Sequence, residues 1–221
     1  MLQKIFISRN QKFPDRKNKE NKIKDRVHYI WKCLCKEYGL IEGYTPLIIT
    51  NTKEYPNEVA RRLAILGYNT DVDSSAQALR GTNKVPIMMT SYHIDMDESN
   101  RTLPVLTGVF VMWDHIYPYM VNDNETEIDV KLRCIECKLR HEIGHVISMK
   151  RLFGGLTIDQ YNSLDESIMM QNDEIKKSWH QHMTNEEWYR SYFTLPVESL
   201  ANETAGITVD MLIDADDLLK S

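Results

Sequence analysis

The segment His141-Glu-Ile-Gly-His145 combines two imidazoles and a carboxylate at a spacing suited to metal chemistry. Residues four apart on an α-helix lie on one face, so both imidazoles could bind a single zinc ion. Glu142 lies about 100° around the helix from His141, where it can reach a water on the metal without occupying a coordination position. Zinc lowers the pKa of such a water to about 7, and the carboxylate can then act as general base. The segment therefore predicts a hydrolytic zinc centre.

The two histidines lie inside a long segment of helical periodicity, which begins after Asn124 and ends at residues 154–155. Apolar residues cover one face of this predicted helix, while the histidines share another face with weakly polar residues. A helix that is apolar on more than one side is buried in the middle of a fold. Buried histidines need partners, either a metal or hydrogen-bonding groups of the core. Their pairing with Glu142 favours the metal.

Cys134 and Cys137 precede the histidines on the same helix and raise the alternative of a Cys-Cys-His-His zinc site. Eleven residues separate Cys134 from His145, which is about 16 Å along a helix that rises ~1.5 Å per residue. Ligands of one zinc ion lie within about 4 Å of each other. We therefore expect core cysteines. A redox pair would normally begin a helix, where the dipole acidifies the thiol.

A second segment, Glu198-Ser-Leu-Ala-Asn202, follows about fifty residues after the first. Together the two segments resemble the ImmA/IrrE-type metallopeptidases, whose pattern is HExxH followed by E-x-x-A-N. The spacing also resembles that of the lethal-factor-like gluzincins. The resemblance implies that His141, His145 and Glu198 are zinc ligands and that Glu142 is the general base. It further implies an α+β, zincin-like fold, with a small mixed β-sheet lobe and a helical C-terminal lobe around the HExxH helix.

The choice between Glu198 and Glu203 as third ligand rests on helix geometry. Five residues correspond to about 500° of turn, so the two carboxylates point some 140° apart and only one can face the histidines. The buried stripe of this helix is expected to comprise Ala201, Ala205 and Val209. Glu198 continues that stripe, with Asn202 four residues later as a hydrogen-bonding partner for the ligand or a histidine. Thermolysin-like enzymes would favour Glu203, but Ile207 stands where they keep an acid.

Tyr189 and Tyr192 precede Glu198, and gluzincins often use a tyrosine or histidine to stabilise the oxyanion of the tetrahedral intermediate. Either tyrosine is therefore a candidate catalytic residue, with packing in the core as the alternative. The strand VLTGVFVMW is expected, by analogy with zincins, to be an edge strand that binds the peptide by β-addition. Gly108 within it would ease a close approach of the backbone.

Two further groups of polar residues are less indicative of a site. His93, Asp95 and Asp97 alternate along the end of a predicted strand and could bind a second metal, although the polar exit of a strand is the simpler interpretation. His180 and His182 are expected at the surface, near a helix end.

The first half of the chain reads as mixed structure. Apolar periodicity predicts helices over residues 19–38 and 57–66 and strands over 46–51, 85–95 and 105–113, with a possible fourth strand over 116–121. The second half reads as helical. Helices are predicted from Asn124, over 158–180, from the capping box Thr184–Glu187, and from Pro196 to about Leu212.

The chain has 221 residues, 42% of them hydrophobic and 27% charged, with a formal net charge of −5. These values predict a single zincin-like domain over 1–221, with a mixed-sheet lobe over 1–122 and a helical lobe carrying the zinc site over 123–221. The negative charge argues against nucleic acid as a partner. The sequence has no signal peptide and no stretch of about 18 apolar residues, so a cytoplasmic location is expected and no membrane partner. Association with a virus particle is an alternative.

The predicted function is that of a zinc-dependent metalloendopeptidase with one Zn²⁺ per chain and a protein or peptide substrate. Its catalytic residues would be Glu142, Tyr192 and Tyr189, and its metal ligands His141, His145 and Glu198. The alternative is a zincin-fold protein that retains zinc but serves in binding or assembly, for example a phage-encoded structural or regulatory protein.

Overall fold

The computed structural model describes residues 16–68, 87–180 and 182–221, which form a mixed α+β fold with more helix than strand. Residues 85 and 86, at the start of the second predicted strand, lie outside the described part. In chain order the elements are α1 (Arg16–Glu37), β1 (Leu47–Thr50), α2 (Tyr55–Ile65), β2 (Met88–Met96), β3 (Thr102–Met112), α3 (Glu125–Phe153), α4 (Ile158–Lys176), α5 (Asn185–Tyr192), α6 (Pro196–Ala205) and α7 (Val209–Lys220). No helix of the described residues has the length and hydropathy needed to cross a membrane.

The three strands form one sheet in the order β1-β3-β2, with β1 parallel and β2 antiparallel to β3. The expectation that VLTGVFVMW is an edge strand is therefore wrong, since β3 is central and β2 lies at the edge. The run from Val109 to Met112 is fully buried, and a continuous apolar run is typical of a strand covered on both faces. A Cβ atom on Gly108 would lie 2.9 Å from Ile48 Cδ1, so this glycine accommodates a neighbouring strand.

The segment over residues 116–121 does not form the possible fourth strand. It forms 3₁₀ turns over Trp113–His115 and Tyr117–Tyr119, closed by hydrogen bonds from Ile116 N to Trp113 O and from Met120 N to Tyr117 O. Pro118 has no N–H to donate to a sheet and favours a turn. Ile116 and Met120 are nevertheless fully buried, so the apolar character that predicted a strand reflects packing of the turns in the core.

Helix α3 is the central element of the fold. Its N-terminus has the predicted capping box, in which the Asn124 side chain accepts from the Glu127 N–H and the Glu127 side chain accepts from the Asn124 N–H. The helix ends before Gly154, as expected. Its apolar face joins one core with α1, the sheet and α7, and the core residues contributed by α3 are Ile128, Leu132, Cys134, Ile135, Leu139, Ile143 and Val146. This burial holds the HEIGH segment rigidly between the sheet and the C-terminal helices.

The helix predicted from Pro196 to about Leu212 is two helices, α6 and α7. Gly206 adopts the left-handed conformation with φ 66° and ends α6, while the Ile207 N–H bonds back to Asn202 O at 3.0 Å. Glycine is favoured at such a position because it has no Cβ to clash. The Thr208 side chain then caps α7 by accepting from the Met211 N–H. Val209 therefore belongs to the next helix and does not extend the buried stripe of α6.

Candidate metal centre

Three side chains from α3 and α6 converge on one point. His141 Nε2 lies 3.1 Å from Glu198 Oε2, His145 Nε2 lies 3.2 Å from the same oxygen, and the two Nε2 atoms are 3.1 Å apart. The histidines are buried, and the Glu198 side chain is 14% exposed. Glu203 is exposed on another face of α6. The placement of Glu198, and not Glu203, beside the histidines is as predicted.

The donor set fits zinc. Atoms bonded to a tetrahedral zinc ion at about 2.0–2.2 Å lie about 3.3–3.6 Å apart, close to the observed separations of 3.1–3.2 Å. Two imidazole nitrogens and one carboxylate oxygen leave a fourth position open, which is the arrangement of catalytic rather than structural zinc sites. Among the residues described, His141, His145 and Glu198 form the only grouping of three potential ligands that could hold a metal.

The electrostatics of the cluster also favour a cation. Burial acts to raise the pKa of the Glu198 carboxyl, but hydrogen bonds and charge interactions with His141 and His145 outweigh burial and lower that pKa well below its usual range. Burial acts to lower the pKa of His145, and Glu198 reverses this effect and raises it. Glu198 is therefore an anion whose charge is directed at the point where the two imidazoles meet.

Asn202 orients the first histidine. Its Oδ1 lies 2.7 Å from His141 Nδ1, and a carbonyl oxygen can only accept, so Nδ1 carries the proton. The lone pair of Nε2 then faces the cluster, as a metal ligand requires. Asn202 was predicted to hydrogen-bond either the ligand Glu198 or a histidine, and its partner is His141.

The two candidate tyrosines are placed differently. The Tyr192 hydroxyl donates to Glu198 Oε1 at 2.8 Å, which leaves Oε2 facing the histidines. The Tyr189 side chain instead lies near Asp216, on α7, and burial and the charge of that carboxylate raise the pKa of its phenol. Burial is the main cause that raises the pKa of both phenols, so both are protonated donors. The geometry assigns Tyr192 to the cluster and Tyr189 to the packing of α5 against α7.

Glu142 is close to the cluster but is not part of it. Its Oε2 accepts a hydrogen bond of 2.6 Å from Thr90 Oγ1, and it lines the same cavity as His141. The carboxylate is thus held beside the site by β2, the edge strand. Nothing in the sequence around Thr90 predicts this contact. Thr90 reaches Glu142 only because β2 pairs with β3 and packs on α3.

Gly144 permits the close approach of α3 and α6. A Cβ atom at this position would lie 2.0 Å from Ala201 O and 2.7 Å from Ala201 C. Both are backbone atoms, so the clash could be removed only by a shift of the whole helix. Because Glu198 lies one turn before Ala201 on α6, the same close packing sets the distance from Glu198 to the histidines.

We expect Gly144→Ala to destabilise the protein and weaken zinc binding at least tenfold. Alanine gains about 1 kcal/mol in helix propensity, but overpacking against backbone costs about 1–3 kcal/mol or more and displaces Glu198. Thermal unfolding and competitive zinc titration measure the two effects. Gly43→Ala is the control, since nothing lies within 4 Å of its added Cβ. Unchanged zinc affinity in Gly144→Ala would show that this contact does not position Glu198.

The other predicted polar groups do not form sites. Asp95 accepts from the Tyr68 hydroxyl at 2.8 Å, His93 packs against the Tyr68 ring, and Asp97 accepts from backbone N–H groups of its own turn. These three residues therefore form the polar end of a strand, as expected. His180 and His182 are exposed, again as expected.

The cysteines of α3 are free thiols that pack within the fold. Cys134 is buried and Cys137 is partly buried, and their sulfurs contact the backbone oxygens of Val130 and Met211. Burial raises the pKa of both thiols. Neither joins the histidine cluster, in agreement with the prediction of core cysteines.

The chain shows significant similarity to no protein-family model, no curated protein and no solved structure.

Proposed function

We propose that this protein is a zinc-dependent metalloendopeptidase with a zincin-like fold of the gluzincin type. The observation that carries the proposal is the convergence of His141 Nε2, His145 Nε2 and Glu198 Oε2 within 3.2 Å of each other, beside the non-ligating carboxylate of Glu142. A structural zinc site needs no free carboxylate at that position. A hydrolytic site requires one.

In this proposal His141, His145 and Glu198 hold the zinc, Asn202 fixes the tautomer of His141, and Tyr192 holds Glu198. Zinc, when bound, polarises the scissile carbonyl and lowers the pKa of a water molecule to about 7. Glu142 accepts a proton as the water oxygen attacks the carbonyl carbon. It then delivers that proton to the amide nitrogen as the C–N bond breaks, giving a carboxylic acid and an amine.

The edge strand β2 is the element best placed to hold a substrate in extended conformation. Among the described strands it pairs with β3 along one side and lies at the end of the sheet, and it carries Thr90 in contact with Glu142. A peptide added along the free edge of a strand gains backbone hydrogen bonds irrespective of its sequence. The sequence predicted that the strand containing Gly108, which is β3, binds the peptide. We propose β2 for this role instead.

The direct test is hydrolysis of a proteome-derived peptide library by the zinc-loaded protein, read by mass spectrometry of the new termini. The zinc-stripped protein is the control, and activity should return when zinc is restored. A library left uncleaved by the zinc-loaded protein would overturn the proposed activity and favour a role in binding or assembly.

The metal is tested separately by elemental analysis. Protein purified without chelator should carry about one zinc per chain, because two buried imidazoles and a carboxylate meet at one point. The double variant His141→Ala, His145→Ala should carry none. Full zinc occupancy in the double variant would place the metal elsewhere. The matched control, His180→Ala with His182→Ala, removes two exposed imidazoles and should leave the zinc content unchanged.

A further inference from the structure

A cavity of about 540 Å³ opens beside the candidate metal centre, and His141 and Glu142 both line it. Cavities of this size are typical of ligand-binding pockets. Because its wall includes a metal-site histidine and the candidate base, a group bound in it would lie next to the bond that reacts. The walls of this cavity therefore bear on which substrates the site accepts.

One wall of the cavity is aromatic. Trp188 stacks on Tyr192 with ring centroids 5.1 Å apart, Tyr189 stacks on Phe193 at 5.9 Å, and all four rings line the cavity. They lie in α5 and just after it at positions i, i+1, i+4 and i+5, which share one side of a helix. Trp188, Tyr189 and Tyr192 are partly exposed, whereas Phe193 is buried behind them, so the three rings of α5 keep surface exposed towards the cavity.

Further apolar side chains also line the cavity. Ile87 and Met88 contribute from the start of β2, Met183 from the segment before α5, and Leu212 from α7. Methionine side chains are flexible and polarisable, and they make favourable contacts with aromatic rings. A planar apolar group entering the cavity would thus meet both aromatic rings and adaptable side chains.

The polar part of the lining includes two lysines. Lys138, one turn before Glu142 on α3, and Lys220 both line the cavity. Both pair with Asp216, which is 2% exposed and lies between them. Asp217 is also close to this wall, since its charge, after burial and Asp216, raises the pKa of Tyr189. Two cations and two anions therefore leave no net charge around Asp216. Glu142, beside the metal centre, is the acidic residue of the lining. Its other titratable side chains, besides the two lysines, are those of His115, His141, His180, Tyr119, Tyr189 and Tyr192.

We propose that the cavity receives a bulky aromatic side chain of the substrate next to the scissile bond and that it discriminates against lysine and arginine there. The inference rests on the proposed peptidase function and names its substrate class. The rings of α5 supply the contact surface for the aromatic group. A lysine or arginine side chain would lose its water on entering this largely apolar cavity, and the lysines around Asp216 are already balanced by acids, so no net negative charge replaces that water.

The test begins by identifying the preferred residue on each side of the bonds cleaved in a peptide library by the zinc-loaded protein. Hexapeptides that differ only at the preferred position, as phenylalanine, alanine or lysine, are then compared by kcat/KM. One methylene in an apolar pocket is worth about 10–200-fold, so phenylalanine should exceed alanine by roughly 10²-fold. Lysine should be cleaved more slowly than alanine.

The variant Trp188→Ala should reduce the phenylalanine-to-alanine ratio at least tenfold, whereas Trp188→Phe should keep most of it. Tyr44→Ala is the control, since Tyr44 is 76% exposed and does not line the cavity. Zinc content confirms that each variant retains its site. Binding of the same peptides to Glu142→Gln protein, measured by calorimetry, supplies a readout independent of turnover and should follow the same order.

The outcomes separate the two proposals. Cleavage with no preference for phenylalanine overturns the cavity assignment and leaves the peptidase function intact. Binding that prefers phenylalanine and depends on Trp188, without cleavage of any peptide, supports the selectivity of the cavity and overturns the peptidase function. If no peptide is cleaved and none is bound preferentially, both proposals are overturned.

Discussion

Replacing Glu142 with glutamine is expected to slow peptide hydrolysis by roughly 10²–10⁴-fold while the zinc content and the fold stay unchanged. Glutamine keeps the size of the side chain and still offers an oxygen to Thr90, which donates to Glu142 Oε2 at 2.6 Å. It has no basic carboxylate to accept the proton of the attacking water. The measurement is kcat/KM on a peptide from the library, with zinc analysis and thermal unfolding of the same preparation.

Glu203→Gln makes the same chemical change on an exposed carboxylate of α6 and should leave the rate unaltered. Hydrolysis by Glu142→Gln at the wild-type rate would mean that another group acts as base. A loss of zinc together with a loss of rate would instead mean that Glu142 is a ligand, contrary to its separation from the cluster.

Glu198→Ala is expected to weaken zinc binding by roughly 10²–10³-fold. Zinc binding of about 10–16 kcal/mol, divided among three or four ligands, leaves about 2.5–5 kcal/mol for each, and the expected loss corresponds to the lower part of that range. Glu198 also supplies the negative charge of the cluster, and its removal leaves two imidazoles without an anion. Competitive titration against a chelator of known zinc affinity measures the change.

Glu203→Ala is the matched control, because it removes a carboxylate from the same helix at a position that faces solvent. Its zinc affinity should stay within a factor of about two, as expected for a surface substitution that disturbs no buried group. A stronger loss in Glu203→Ala than in Glu198→Ala would reverse the assignment of the third ligand.

Much of the local structure could be predicted from the sequence because its causes are local. The capping boxes at Asn124 and Thr184 and the ends of α3 follow from side-chain hydrogen bonds and glycines within a few residues. The placement of His141 and His145 on one face follows from the helical repeat alone. The same repeat put Glu198 and Glu203 on different sides of their helix.

The errors in the predicted elements share one cause. A pattern of apolar residues predicts that a segment is buried, but it does not predict whether the buried segment is a strand, a turn or a helix, or where it lies in the fold. Ile116 and Met120, on either side of the exposed Pro118, are buried within turns, although the composition of this segment suggested a strand. Strand β3 is central rather than peripheral, and its continuous apolar run was consistent with that position. Gly206 divides the last predicted helix, where the apolar spacing had continued across the break.

The sequence by itself determined which residues could do chemistry, since the HEIGH spacing brings two imidazoles and a carboxylate to one helix. Only the tertiary structure decided that Glu198 meets the two imidazoles, that Thr90 holds Glu142, and that aromatic rings border the site. The separation of α3 from α6 depends on contacts between residues more than fifty positions apart, such as Gly144 with Ala201. Such distances arise from the packing of the whole core, and no local repeat encodes them.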